Sequence, residues 1–195
     1  VYIDPNISAV VKEGIVQGVG DIEFEGQKRF EFVEKDESDF VLGVTDSKTS
    51  QSFISRELIP VGHIYWIEDE FNIENFKKIL LEKQEYLFAN EYLSQYYDIP
   101  VEKVENLSEG LLDDEESVGF LFPSNLGREY KTLTVDGEDP LSIPKARVTI
   151  SYSLEGDDRA SFVYGLLQKN IEILENDILN DEKLVKINMT GVTAI

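Results

Sequence analysis

The stretch Val1-Tyr2-Ile3-Asp4-Pro5-Asn6-Ile7-Ser8, continued by Ala9 to Gly20, decides the fold class. Its first three residues read as a short strand. Asp4 to Ser8 is a turn with several residues whose side-chain oxygens can cap a helix. Ile7, Val10, Val11 and Ile15 then recur at helical spacing, and Gly18 and Gly20 close the segment. Strand, turn and helix in that order open an α/β unit.

Working outward, Arg29 to Lys35 alternates around Phe30 and Phe32, and Phe40 to Val44 is a second apolar run; both read as strands. Thr45 to Ser52 is polar and rich in hydroxyls, a loop. Leu58 to Ile67, with Pro60 near its start, reads as a strand leading into the acidic turn Glu68-Asp69-Glu70. Asn72 caps a helix whose stripe is Ile73, Phe76, Ile79 and Leu80, with Glu74 in its positive first turn. The helical pattern continues through Tyr92 and Tyr96 to a stop at Pro100. Ser108 to Glu116 reads as a short acidic helix, and Val118 to Phe122 as a buried strand ended by Pro123. Glu129 to Val135 and Arg147 to Leu154 alternate as strands, and Asp136-Gly137 signals a turn. Ser161 to Leu179 reads as a second long helix and Val185 to Met189 as a last strand. The order predicts an α/β fold with a mixed sheet, built as one lobe or two small ones.

Composition narrows the function. The chain has 195 residues, 42% hydrophobic, with 39 Asp plus Glu against 18 Lys plus Arg and a net charge of −21. Such a charge argues against nucleic acid and anionic membrane surfaces as partners. There are no cysteines, which removes disulfides, thiolate nucleophiles and Cys-ligated zinc. No apolar run approaches the roughly 20 residues of a membrane span. The chain starts at Val1 within a strand, so we read it as a processed or excised piece, with any signal peptide or lipid anchor lying upstream.

Few residues offer chemistry. His63 is the single imidazole, set in an apolar strand, and reads as a strand-edge or satisfied buried histidine. No Gly-x-Ser-x-Gly elbow is present. The acidic runs Asp113-Asp114-Glu115-Glu116, Asp36-Glu37-Asp39 and Asp157-Asp158 read as solvated faces and lack calcium-loop spacing. Neither glycine-rich phosphate motif occurs. We therefore expect no cofactor and no dedicated metal site. What remains are the loops Asp4–Ser8 and Thr45–Ser52. Strand-end loops in open α/β sheets are common ligand positions, with free N–H groups and hydroxyls to hold a small polar or anionic group.

Ser117-Val118-Gly119-Phe120-Leu121-Phe122-Pro123 and Tyr130-Lys131-Thr132-Leu133-Thr134-Val135-Asp136-Gly137 resemble a strand pair of type 2 periplasmic substrate-binding proteins, in the phosphate-binding-like branch. Ser55-Arg56-Glu57-Leu58-Ile59-Pro60-Val61 is similar to that family's passage between lobes. The resemblance implies a binding-protein-like domain over 1–187 with its lobe crossover near 56–68. Asn188 to Ile195 resembles the first strand of a CapA-like phosphoesterase domain of the poly-γ-glutamate capsule type, so 188–195 would begin a following domain or a linker. Gly191 is followed by Val192, not by the Asp of that domain's opening, and no catalytic residue carries over.

The resemblance implies an extracytoplasmic, non-catalytic solute-binding or sensing module, anchored by lipid upstream and joined to an adjacent phosphoesterase in a surface-polymer protein. Its ligand contacts would come from Asp4, Asn6, Ser8, Thr45, Asp46, Ser47, Ser55 and Arg56. Arg56 reads as an anion clamp or as a hinge ion pair, and Tyr65 and Trp66 as cleft walls or as core and rim aromatics. The alternatives are a ligand-free structural or interaction module that positions the phosphoesterase, and a carboxylate-based hydrolase.

Overall fold

In the computed structural model the opening segment folds as its pattern predicts. Tyr2–Ile3 form β1 and Ala9–Gly20 form α1, with Ile7, Val11, Ile15 and Val19 buried at helical spacing. The structure describes residues 1–20, 22–45 and 52–169. The expected strand Val185–Met189 and the second half of the helix expected over 161–179 lie outside them, as do Asp46 and Ser47.

Within the described residues eight strands form one mixed sheet. After α1 comes a small hairpin, β2 (Glu23–Phe24) and β3 (Gln27–Lys28). Then follow β4 (Val41–Thr45), β5 (Ser52–His63), β6 (Lys78–Leu81), helix α2 (Lys83–Tyr97), β7 (Val101–Lys103), helix α3 (Leu107–Asp113), β8 (Ser117–Leu121), β9 (Tyr130–Thr132) and β10 (Val148–Glu155). A last helix, α4, covers 160–169 with Val163 and Leu167 buried. The sheet order is β1-β4-β10-β5-β8-β6-β7, with β9 beside β5. This is the α/β, mixed-sheet class expected.

β5 joins two parts of that sheet. Its stretch Ser52–Leu58 pairs antiparallel with β10, and Ile59–His63 pairs with β8 and β9. One part holds β1, β4 and β10. The other is a β6-α2-β7-α3-β8 run in which β6 lies parallel to both β7 and β8. All five residues of β8 are buried, as a central parallel strand requires. One apolar cluster includes Ile3, Val11, Leu42, Leu58, Phe88 and Phe120; a second gathers Ile59, Val61, Leu80, Leu107 and Leu121. Trp66 packs against both.

Three local readings are corrected. The helix expected from Asn72 is a single 3-10 turn, Ile73–Asn75, followed by β6. Asn72 does cap it, accepting from the Glu74 N–H at 3.0 Å. The consecutive apolar Ile79, Leu80 and Leu81 need burial on both faces, which a central strand supplies and a surface helix does not. The helix proper starts after Glu82, with Glu85, Phe88, Ala89 and Leu93 on its buried stripe. Arg29–Lys35 is not a strand: Phe30 is buried, and the segment meets the edge of the sheet through Val33 N–H to the Val1 carbonyl (3.2 Å) and the Val1 amine to the Glu31 carbonyl (2.7 Å), not through a ladder. β1, two residues long, gives it no ladder to join. Finally, β5 begins at Ser52 and ends at His63, so Ile64 to Ile67 lie in a turn beyond it.

Candidate functional site

The ladder registers place the candidate residues along the sheet. Ile3 pairs with Leu42 and Leu42 with Leu154, so Asp4 emerges beside the middle of β4. Thr45 pairs with Ser151, which pairs on its other side with Ser55. The hydroxyl of Ser151 is buried with no hydrogen-bond partner among the described residues. Arg56 pairs with Ile150. Successive residues of a strand face opposite sides, so Thr45 and Ser151 share one face of the sheet while Arg56 and Ile150 share the other.

The Asp4–Ser8 bend is held by its own polar groups. The Asp4 N–H donates to the Leu42 carbonyl at 2.8 Å, and Asp4 Oδ1 accepts from the Asn6 N–H at 2.8 Å. Ser8, only 2% exposed, donates its hydroxyl to the Leu87 carbonyl of α2. The next residue of α2, Phe88, lies under the Arg56 guanidinium, 5.3 Å from ring centroid to Cζ. Ser8, from the bend before α1, and Arg56, from β5, thus converge on the same turn of α2.

An open cleft of about 530 Å³ lies beside Arg56. Glu57, Gln84, Arg147 and the 3-10 turn Pro123–Asn125 line it. Arg147 is committed: its guanidinium donates to Glu57 Oε2 at 2.7 Å and to the carbonyls of Pro140 and Leu141 at 2.6 and 2.9 Å. It pins the 138–146 loop to β5. The Pro123–Asn125 wall is braced from behind by Glu85, which is 1% exposed and accepts from Asn125 Nδ2 at 2.7 Å and from the Phe122 N–H at 3.4 Å. Burial pushes the Glu85 carboxyl pKa up, the hydrogen bonds from Asn125 and Phe122 oppose the rise, and nearby Glu82 adds to it.

The other candidates fall elsewhere. Thr45 ends β4, and Ser55 lies within β5. Trp66 is turned inward, stacked on Phe76 at 6.2 Å, whereas Tyr65 stands in solvent. Both follow the far end of β5, seven residues past Arg56 at His63, or about 23 Å along the strand. His63 is buried; its Nδ1 accepts from the Tyr65 N–H at 3.3 Å. The acidic runs are solvated and paired: Asp114 with Lys78 at 3.0 Å, Asp157 with Arg159 at 2.7 Å. Arg159 holds the Asp157 carboxyl below its usual range.

Gln84, Asn125 and Arg147 carried no signal in the sequence, because the fold alone brings them together. Glu85 did carry one: it is a carboxylate on the apolar stripe of a helix.

No family model matches this chain, and no curated protein is similar to it. Among solved structures it is similar to an ABC-type phosphate transport receptor from Vibrio cholerae, 8% identical over 70% of this chain and 77% of that one, with a TM-score of 0.44. It is similar also to an arginine transport system periplasmic binding protein from Legionella pneumophila, 15% identical over 73% and 69%, TM-score 0.33. A third is the regulatory domain of HypT from Salmonella typhimurium, 15% identical over 90% and 93%, TM-score 0.33. These are likenesses of chain path; no ligand, activity or residue role passes from them to this chain.

Proposed function

We propose that the chain is a non-catalytic solute-binding or sensing module whose guest, a small polar or anionic solute, sits in the cleft beside Arg56. One observation carries the reading: a guanidinium on the strand common to both parts of the sheet, backed by an aromatic ring, edges an open cleft that Gln84 and Asn125 also line. In this reading Arg56 is the anion clamp, and Arg147, which holds Glu57 and two carbonyls, shapes the cleft wall. Ser8 of the bend reaches the same turn of α2, and Asp4, Asn6, Thr45, Asp46, Ser47 and Ser55 are the remaining proposed contacts. In this reading Ser8 meets a guest only after it lets go of Leu87. The crossover near 56–68 then separates two small lobes of a domain spanning 1–187.

We further propose that the module is extracytoplasmic and lipid-anchored, and works beside a CapA-like phosphoesterase on poly-γ-glutamate. This part stands on the resemblance of residues 188–195 alone.

The test is a thermal-shift panel of phosphate, amino acids, γ-glutamyl peptides, sugars and divalent cations, run on the chain and on Arg56→Gln. A guest at 100 times its Kd stabilises by about 2.7 kcal/mol, or about 5–10 °C in a chain of this size. The expected result is such a rise with at least one anionic member, lost in Arg56→Gln. If no member raises Tm, the receptor reading is wrong. The second reading, a ligand-free interaction module, is favoured by one observation: the Ser8 hydroxyl is sealed by Leu87. It would then stand alone.

A further inference from the structure

The turn after β5 puts apolar side chains where a folded chain usually hides them. Tyr65 is 81% exposed, Ile67 is 96% exposed and Ile64 is 45% exposed, all within four consecutive residues. Single exposed apolar residues are ordinary, but a contiguous group on a fixed loop is not.

This loop is fixed. The N–H groups of Ile64 and Trp66 donate to the carbonyls of Glu129 and His63, each at 2.9 Å. The Tyr65 N–H meets His63 Nδ1, and the two rings lie 5.0 Å apart. Lys131 Nζ reaches the Trp66 carbonyl at 2.7 Å and Asp69 Oδ1 at 2.6 Å. Phe71 N–H to the Thr134 carbonyl (2.7 Å) and Thr134 N–H to the Asp69 carbonyl (2.8 Å) tie its far end to the segment after β9. The Trp66 indole, stacked on Phe76, anchors the middle in the core. Holding Tyr65 and Ile67 outward in one conformation lowers the ordering cost of docking.

The charge that follows them in the chain is acidic. Glu68, Asp69 and Glu70 follow directly and are exposed. Lys131, the cation this loop engages, is already occupied by Asp69 and is only 16% exposed. An acidic rim around rigid aromatic and aliphatic anchors has the composition of a protein interface whose partner is basic.

We propose that residues 64–70 are a docking surface for a basic polypeptide segment of a partner protein. Tyr65 and Ile67 enter an apolar socket, and Glu68 and Glu70 meet the lysines or arginines at its edge. The surface is independent of the cleft beside Arg56, at the opposite end of β5.

The probes are three synthetic helical peptides, one of Leu and Lys, one of Leu and Glu and one of Ser and Lys. Each is titrated into the whole ¹⁵N-labelled chain and followed by amide shifts. The Leu/Lys peptide should shift residues 64–71 and 129–134. The Ser/Lys peptide should bind about tenfold more weakly and the Leu/Glu peptide not at all. Replacing the two anchors together, Tyr65→Ser with Ile67→Ser, should weaken Leu/Lys binding at least about tenfold. Phe162→Ser, which removes an exposed ring on α4, should leave it unchanged. Reversing the rim with Glu68→Lys and Glu70→Lys should transfer the preference to the Leu/Glu peptide. Unchanged Trp66 fluorescence verifies that the variants fold. Failure of the Leu/Lys peptide to bind, shifts spread over the acidic surface, or equal affinity in the anchor variant would each overturn the proposal.

Discussion

Gly62→Ala is the most informative single change. A Cβ on Gly62 would stand 2.6 Å from Cε3 and 3.1 Å from Cζ3 of the Trp66 indole. Carbon atoms in contact prefer about 3.5–4 Å, so the ring must retreat by roughly 1 Å. It has little room, because it is stacked on Phe76 and packed against both apolar clusters. Crowding of this kind costs about 1–3 kcal/mol. With a urea m-value of about 2 kcal/mol/M, a cost near 2 kcal/mol lowers the unfolding midpoint by about 1 M. The corresponding fall in Tm is about 4–8 °C. Trp66 is the single tryptophan, so its emission reports both the displacement in the native state and the unfolding curve. In a Trp66→Leu background the crowding disappears, and Gly62→Ala should cost less than about 0.5 kcal/mol; the double-mutant cycle isolates the pair. An unchanged midpoint with unchanged native emission would refute the packing described for this turn.

Two further outcomes follow from single side chains. Burial raises the Glu85 carboxyl pKa above its ordinary 4.5. A raised acid stabilises the fold below the ordinary value and loses that contribution as pH rises through the folded one. Urea unfolding from acid to neutral pH should therefore show this decline in the native chain and a flatter profile in Glu85→Gln, which keeps an acceptor for Asn125. Equal pH profiles would contradict the burial of that carboxyl. Asn106 caps α3 by accepting from the Glu109 N–H at 3.2 Å. Asn106→Ala should cost about 1 kcal/mol, measured as a midpoint shift in the same titration, whereas Asn106→Asp should cost much less.

The fold was legible where one element answers to one periodicity. α1 is readable from Val11 and Ile15, α2 from its stop before Pro100, and β8 from five apolar-to-small residues closed by Pro123. It was illegible where two periods coincide. Ile73, Phe76, Ile79 and Leu80 satisfy helical spacing as well as Ile79 to Leu81 satisfy a buried strand, and only the neighbours β7 and β8 decide between them. The hairpin of β2 and β3 turns on Glu25 and Gly26, with φ of 54° and 76°. A Glu in the left-handed region is a weak turn signal beside the Asp136-Gly137 pair, which adopts the same conformation and was readable. The candidate site was legible only in part. Arg56 could be named from its place between the two parts, but Gln84, Glu85 and Asn125 reach its neighbourhood through α2 and the bend after β8, contacts that no short-range pattern encodes.

β5 has a consequence for anyone who tries to dissect this molecule. Its amino-terminal seven residues are zipped to β10 and its carboxyl-terminal five to β8 and β9. A genetic split placed anywhere along it leaves at least one fragment with an unfilled seam of N–H and C=O groups, inviting self-association. The two parts should therefore melt as one cooperative unit, and complementation by separately expressed fragments should succeed only for breakpoints outside Ser52–His63.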